Sequence, residues 1–241
     1  FKPIEVHWSE VPGRDDEWKK QTIKNTSEAQ FQTEFECEFL GSVDTLINAQ
    51  KLKTMAIVDP KRSPDGLDVY EMPVKGHTYI MTVDVARGIA NDYSAFIVID
   101  ATKAPYKIVA KYRNNDIKPI VFPNILKKVG DYYNKAYCLI EINDLGQQVA
   151  DAMQFELEYD NMMMVTQRGR AGQVLGGGFS GRGNQLGLRM TKGTKKIGTS
   201  NLKSLIEGDK LIVQDFDIVS ELSTFISRGK SFEAESGAHD D

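Results

Sequence analysis

Residues Tyr79–Asp100 read YIMTVDVARGIANDYSAFIVID, and this stretch decides the fold. Two apolar runs rich in β-branched residues, Tyr79–Val85 and Ser94–Asp100, flank Arg87–Asn91, whose glycine and asparagine mark a turn. Strand, turn and strand make a β-hairpin. Asp84 stands near the C-terminal end of the first strand, in the company of Met81, Val83 and Val85. A carboxylate among such neighbours must be paired or hold a cation, because isolated burial of a charge is costly. An Asp capping the turn is the plain alternative, so the rest of the chain decides whether Asp84 has partners.

Working outward, Pro105 opens a third run, Tyr106–Tyr112, which completes an antiparallel meander. Ile120–Tyr133 carries Val121, Ile125, Val129 and Tyr132/Tyr133 at helical spacing. Ala136–Ile142, AYCLIEI, is a short and almost wholly apolar strand. A strand reached through a helical crossover lies parallel to its neighbour and is buried on both faces. Glu141 is therefore a second carboxylate at the C-terminal end of a buried strand. Asn143–Glu158 reads as a helix with Leu145, Val149, Met153 and Leu157 inward, and Met162–Val165 as one more strand.

The composition then breaks. From Asn161 to Ile206 there is no Asp or Glu, while Arg168, Arg170, Arg182, Arg189, Lys192, Lys195, Lys196 and Lys203 all fall there. Gly169–Gly187 is glycine-rich, so the stretch is read as a mobile basic loop or long hairpin rather than a packed element. A basic, acid-free stretch inside a chain of net charge −4 is an electrostatic footprint for phosphates. Beyond it, Thr199–Glu207 reads as a helix, Lys210–Val213 as a short strand, and Ile218–Ser227 as a helix with Ile218, Leu222 and Phe225/Ile226 inward. Gly237–Asp241, GAHDD, has the acids of a helix first turn.

Upstream, Ser27 to Gln30 has capping-box spacing ahead of Phe31, Phe35 and Phe39, one apolar helix stripe. Trp18 and Ile23 are candidate anchors in the charged stretch Arg14–Asn25. Ser42–Met55 is amphipathic, and Asp59–Gly66 is rich in helix breakers. The boundary between an N-terminal segment, residues 1–65, and a domain of residues 66–241 is placed at that loop. With 241 residues, 41% of them hydrophobic, the chain can bury a core in one domain or one domain plus an appendage. No apolar run approaches the roughly 20 residues a membrane span needs, and the first residues are not a signal peptide. Cys37 and Cys138 lie far apart without metal-ligand spacing, which fits a reduced, intracellular protein.

Three strands, a helix, a short strand carrying Glu, another helix and a late Asp-Asp follow an order that resembles the ribonuclease H-like fold, an α/β mixed sheet flanked by helices. In that fold such acids meet at one edge of the sheet. Hard cations such as Mg²⁺ or Mn²⁺ take oxygen ligands, and two ions roughly 3.5–4 Å apart clamp the oxygens of a phosphodiester displacement. The series TVDVARG, LIEIND and GAHDD further resembles the C-terminal nuclease of the large terminase subunit of tailed bacteriophages, the T4-like group in particular. Gly13–Trp18 and Phe35–Ser42 resemble the stretch that joins the packaging ATPase to that nuclease. No Walker A sequence is present.

The resemblance implies Asp84, Glu141 and Asp240 as the catalytic, metal-holding triad, Asp84 bridging two ions, with Asp241 as an adjacent acid. From the sequence itself, His239 is a candidate to orient Asp240 or a plain hydrogen-bond partner, and Asp92 and Asp144, near the strand-end acids, are candidate supporting groups. It implies a metal-dependent endonuclease that cuts double-stranded DNA with little sequence specificity during packaging, the headful cleavage. Arg168, Arg170, Arg182, Arg189, Lys192, Lys195 and Lys196 are the candidate DNA contacts. The expected partners are double-stranded DNA, the terminase ATPase domain, the portal and the small terminase subunit, in the cytoplasm of an infected bacterial host and without a membrane. Two rivals stand beside it: a non-catalytic DNA-grip module of the translocating motor, and a resolvase-like nuclease on the same fold.

Overall fold

The computed structural model describes residues 8–25, 31, 35, 45–63, 66–88, 92–167, 173–175, 184–228 and 231–234. The meander forms as the apolar runs and their turns predict: β3 (Tyr79–Asp84), β4 (Ser94–Asp100) and β5 (Tyr106–Asn114) pair antiparallel in turn. Strand β6 (Tyr137–Ile140) then lies parallel to β3, with Ile80 opposite Tyr137 and Val83 opposite Ile140. Two short strands, β1 (Lys61–Arg62) and β2 (Leu67–Val69), extend the other side of the sheet. The order among the described residues is β1-β2-β5-β4-β3-β6. A further strand, β10 (Leu211–Ile212), runs parallel against β5.

Side chains alternate across the sheet, so each strand feeds two cores. Met81, Val83, Phe96, Val98 and Tyr112 pack on one face against Phe122 and Leu126 of α3 (Phe122–Tyr132) and Val149 of α4 (Gly146–Asp151). A π-helical turn, Ala152–Glu156, continues α4 and buries Met153. On the other face Ile97, Ile99 and Ile108 meet Ile206 of α5 (Lys192–Glu207) and Val219 and Leu222 of α6 (Phe216–Thr224). Leu46, Ile47 and Leu52, the last on α2 (Ala49–Lys53), belong to this second core. Near the N-terminus, Trp8 and Trp18, the latter on α1 (Asp16–Asn25), gather with Phe31 and Phe35. Among the described residues no helix is long and apolar enough to cross a membrane.

Four sequence expectations are corrected. Helix α3 starts at Phe122 rather than Ile120, with Pro123 fixing its first turn, and Val121, placed in the apolar stripe, is exposed. Strand β6 is not buried throughout: Tyr137 is 49% exposed. Most of the glycine-rich stretch Gly169–Gly187, read as a basic loop or long hairpin, lies outside the described residues. The described residues there and just before it include a three-stranded sheet, β8 (Gln173–Leu175), β7 (Met164–Gln167) and β9 (Asn184–Leu186), and the correction is to the helix that follows: α5 begins at Lys192 rather than Thr199. A reciprocal Thr191–Thr194 capping box starts that helix. Finally, α6 stops at Thr224. Phe225–Arg228 is strand β11, paired antiparallel with β12 (Ser231–Ala234), where Phe225 stacks on Phe232. The capping box at Ser27 and Gln30, and Phe39, lie outside the described residues.

Candidate active site

Asp84 is the last residue of β3 and is half-buried, and one of its oxygens, Oδ1, accepts the Val85 N–H at 2.8 Å. The parallel ladder between β3 and β6 continues one step past its last pair, because the Glu141 N–H donates to the Val83 carbonyl at 2.9 Å. Neighbouring parallel strands run about 4.8 Å apart. The two carboxylates therefore end adjacent strands at the same end of the sheet. Thr82 and Asp84 share a face by the two-residue period, as do Leu139 and Glu141, and all four line one cavity of about 370 Å³.

The sequence supplies two glycines that let the backbone close around Glu141. A Cβ on Gly146, at the start of α4, would lie 1.8 Å from the Glu141 carbonyl oxygen. Gly187 has φ 72°, and a Cβ there would meet the Ile140 carbonyl at 2.3 Å. The outer edge of β6 is thereby covered: Leu188 N–H donates to the Ile140 carbonyl at 2.8 Å and Ile142 N–H to the Leu188 carbonyl at 3.0 Å.

The opposite wall of the cavity comes from β5 and α6 and was not expected from the sequence. Lys111 is buried, and its Nζ meets Asp215 at 2.6 Å and Asp217 at 2.5 Å. Tyr70 donates its hydroxyl to the same Asp215 oxygen, Oδ2, that Lys111 meets. Burial alone pushes the Lys111 ammonium down, but the hydrogen bonds to Asp215 and Asp217 outweigh it and hold its pKa above the ordinary lysine value. Burial and the bond to Asp215 push the Tyr70 hydroxyl far up. Two residues along β5, Arg113 pairs with Glu221 at 3.0 Å while its guanidinium lies 3.9 Å over the Tyr93 ring. Asp217 and Glu221, one turn apart on α6, thus fasten that helix across the cavity from Asp84 and Glu141. Two cations on one face of a mostly apolar strand, and two acids at i, i+4, were the available signals.

The other candidates sort differently. Asp144, at φ 47°, pairs with Arg87 at 2.8 Å, is exposed and does not line the cavity. Asp92 is exposed before β4 and is likewise not brought to it. Arg189 is exposed just before α5, whose first turns carry Lys192, Lys195 and Lys196. Lys195 lies over the Phe225 ring at 5.5 Å, and Lys192 and Lys196 are exposed. Arg168, Arg170, Arg182, His239, Asp240 and Asp241 lie outside the described residues.

Asp84 and Glu141 offer hard oxygen donors of the kind a small divalent cation takes. Among the described residues no three His, Cys, Asp or Glu side chains gather to hold a metal by themselves. The fit among the described residues is that of two carboxylates at adjacent strand ends in one cavity.

Comparison with solved structures shows the same fold. The chain is similar to the large terminase nuclease from thermophilic phage G20c with bound cobalt, at 19% identity and a TM-score of 0.62, over 83% of this chain and 93% of that one. The magnesium-bound form gives 21% identity and a TM-score of 0.60 over the same shares. The Thermus phage P74-26 large terminase nuclease domain gives 21% identity and a TM-score of 0.52, over 73% of this chain and 76% of that one. The sequence profile of the terminase RNaseH-like domain matches residues 81–241. From within β3 onward, then, the fold and the sequence profile agree, and the chain belongs to the terminase RNaseH-like domain family.

Proposed function

We propose that this chain is the nuclease part of a large terminase subunit, a metal-dependent endonuclease that cuts double-stranded DNA with little sequence preference during phage genome packaging. The observation that carries the reading is the placement of Asp84 and Glu141 side by side at the ends of parallel strands, in one cavity. The G20c nucleases, similar in fold, hold cobalt, magnesium or zinc. We take Mg²⁺ or Mn²⁺ as the ion here and assign Asp84, Glu141 and Asp240 to hold it, in a two-ion arrangement. When bound, such ions polarise the phosphodiester and stabilise the charge that develops at phosphorus.

The protein's own residues supply the rest. Gly146 and the Val83 carbonyl fix the Glu141 backbone, so its carboxylate is set before substrate arrives. The Lys111 and Arg113 pairs with α6 keep the far wall in place. Arg189, Lys192 and Lys196, with Arg168, Arg170 and Arg182, take the phosphates and carry no base information, which accounts for weak sequence preference. Within residues 1–65, read as the connection to a packaging ATPase, Leu46, Ile47 and Leu52 are packed in the second core.

The test is nicking of supercoiled plasmid with Mg²⁺ or Mn²⁺. Cleavage should disappear with chelator and in Asp84→Ala, while plasmid retention persists in the variant. Cutting that survives Asp84→Ala, or needs no divalent ion, overturns the reading; retention without any cutting by the wild type favours the DNA-grip module.

A further inference from the structure

The side chain of Asn143 continues a β-ladder after the backbone has left it. Its Nδ2 donates to the Met190 carbonyl at 3.0 Å, and its Oδ1 accepts the Met190 N–H at 3.0 Å. This amide pair takes over where the Ile142–Leu188 backbone pairing ends, just before the chain turns at Asp144. Met190 directly precedes Thr191, the N-cap of α5. Leu188 and Met190 line the same cavity as Glu141, two residues before Asn143. One planar amide thus ties the strand end that carries a metal-holding carboxylate to the point where the lysine-bearing helix begins. A donor and an acceptor in one plane specify position as well as distance.

We infer that Asn143 is a positioning residue that sets the register between the Glu141 carboxylate and the cationic first turns of α5, so that a phosphodiester gripped by the helix is presented to the carboxylates. The inference rests on the nuclease reading above. It asks nothing of Asn143 in contact with substrate: the side chain is half-buried and both ends of its amide are used on Met190. Removing the amide leaves the lysines and the carboxylates in the protein but frees one to shift against the other. Misplacement on the order of 1 Å costs roughly 100-fold in rate, and loss of a group that orients a metal ligand costs roughly 10- to 100-fold.

The experiment compares wild type, Asn143→Ala and Asn143→Asp in steady-state plasmid nicking with Mg²⁺, in DNA binding across a salt series, and in amide hydrogen exchange. Asn143→Ala should lose kcat by roughly 10- to 100-fold, with KM, DNA affinity and its salt slope close to wild type. Exchange at the Met190 amide should quicken while that at Leu188, held by Ile140, stays slow. Asn143→Asp keeps an acceptor for the Met190 N–H but sets its second carboxylate oxygen against the Met190 carbonyl in place of the donor, so it should lose kcat at least as much as Asn143→Ala. It carries the same test should Asn143→Ala fail to fold. Wild-type kcat in Asn143→Ala, or a loss confined to KM and salt slope, overturns the inference while leaving the nuclease reading intact. A wild type that binds plasmid and never nicks it overturns the nuclease reading, and this inference with it.

Discussion

Asp84 and Glu141 close neighbouring parallel strands one residue past the same register pair, Val83 with Ile140, and a single backbone bond from Glu141 to Val83 holds them abreast. The relationship is a consequence of parallel pairing. Antiparallel strands would have sent the two acids to opposite ends of the sheet. A crossover through α3 brings β6 back in the direction of β3, and the sequence places an acid at each strand end.

Replacing Asp84 or Glu141 with Ala should abolish cleavage and leave the fold intact. Two carboxylates on adjacent strands disfavour each other's charge, so the melting temperature should stay or rise. Mg²⁺ at about 100 times its Kd should stabilise the wild type by roughly 2.7 kcal/mol, because it binds the folded state. The same addition should do little for Asp84→Ala. Calorimetry showing a large fall in melting temperature for either variant would assign these acids to structure.

Gly146→Ala tests the backbone that presents Glu141. The added methyl has backbone oxygen at 1.8 Å, which no rotamer change relieves. Overpacking of this kind costs roughly 1–3 kcal/mol, and the displaced carbonyl is that of Glu141 itself. We expect a lower urea midpoint and a loss of nicking larger than the loss of DNA binding. Equal, wild-type values of both would show that β6 can yield without consequence.

Much of this was legible in the sequence. The apolar, β-branched runs Tyr79–Val85, Ser94–Asp100 and Ala136–Ile142 are plain enough to give the strands and their ends, which is why Asp84 and Glu141 could be named from residue order and resemblance. Helix α5 was half-hidden because Gly193, Thr194, Gly198 and Thr199 have low helix propensity, and a threonine capping box sets its start. Strand β11 was hidden for the opposite reason: Phe225 and Ile226 prolong the helical stripe of Ile218 and Leu222. What ends the helix is tertiary, since Ile226 bridges Thr45 and the Phe225 carbonyl accepts the Leu46 N–H at 2.9 Å. Lys111 and Arg113 were passed over because a strand-borne cation declares its partner only once α6 is folded over it.

Lys111→Met should cost roughly 3–5 kcal/mol by leaving Asp215 buried beside an uncharged neighbour. Lys111→Met with Asp215→Asn should recover part of that loss. The sign of the pH dependence follows from the raised Lys111 value. Its contribution is complete below the ordinary lysine pKa of 10.5 and is lost as pH climbs through the raised folded value. The raised Tyr70 hydroxyl acts in the same alkaline direction. Urea melts from pH 7 to above pH 10.5 should therefore show a steeper alkaline loss for wild type than for Lys111→Met. Parallel curves would remove Lys111 from the account of stability.

The last prediction concerns the exposed lysines at the head of α5. Lys192 and Lys196 belong to a stretch without Asp or Glu, so nothing within it offsets their charge. The helix N-terminus adds its own partial positive charge at the same place. Phosphate contacts release counterions, and each one lost lowers the slope of log affinity against log salt by about one. Lys192→Ala with Lys196→Ala should thus flatten the salt slope by about two, and weaken binding equally for duplexes of unrelated sequence. Mn²⁺ binding followed by calorimetry should be unchanged, since the lysines act on the substrate and not on Asp84 or Glu141. Arg168, Arg170 and Arg182, replaced together, are expected to act in the same sense. Wild-type salt dependence in the double lysine variant would mean that this face of α5 meets a protein neighbour in the packaging machine, and that DNA is held elsewhere.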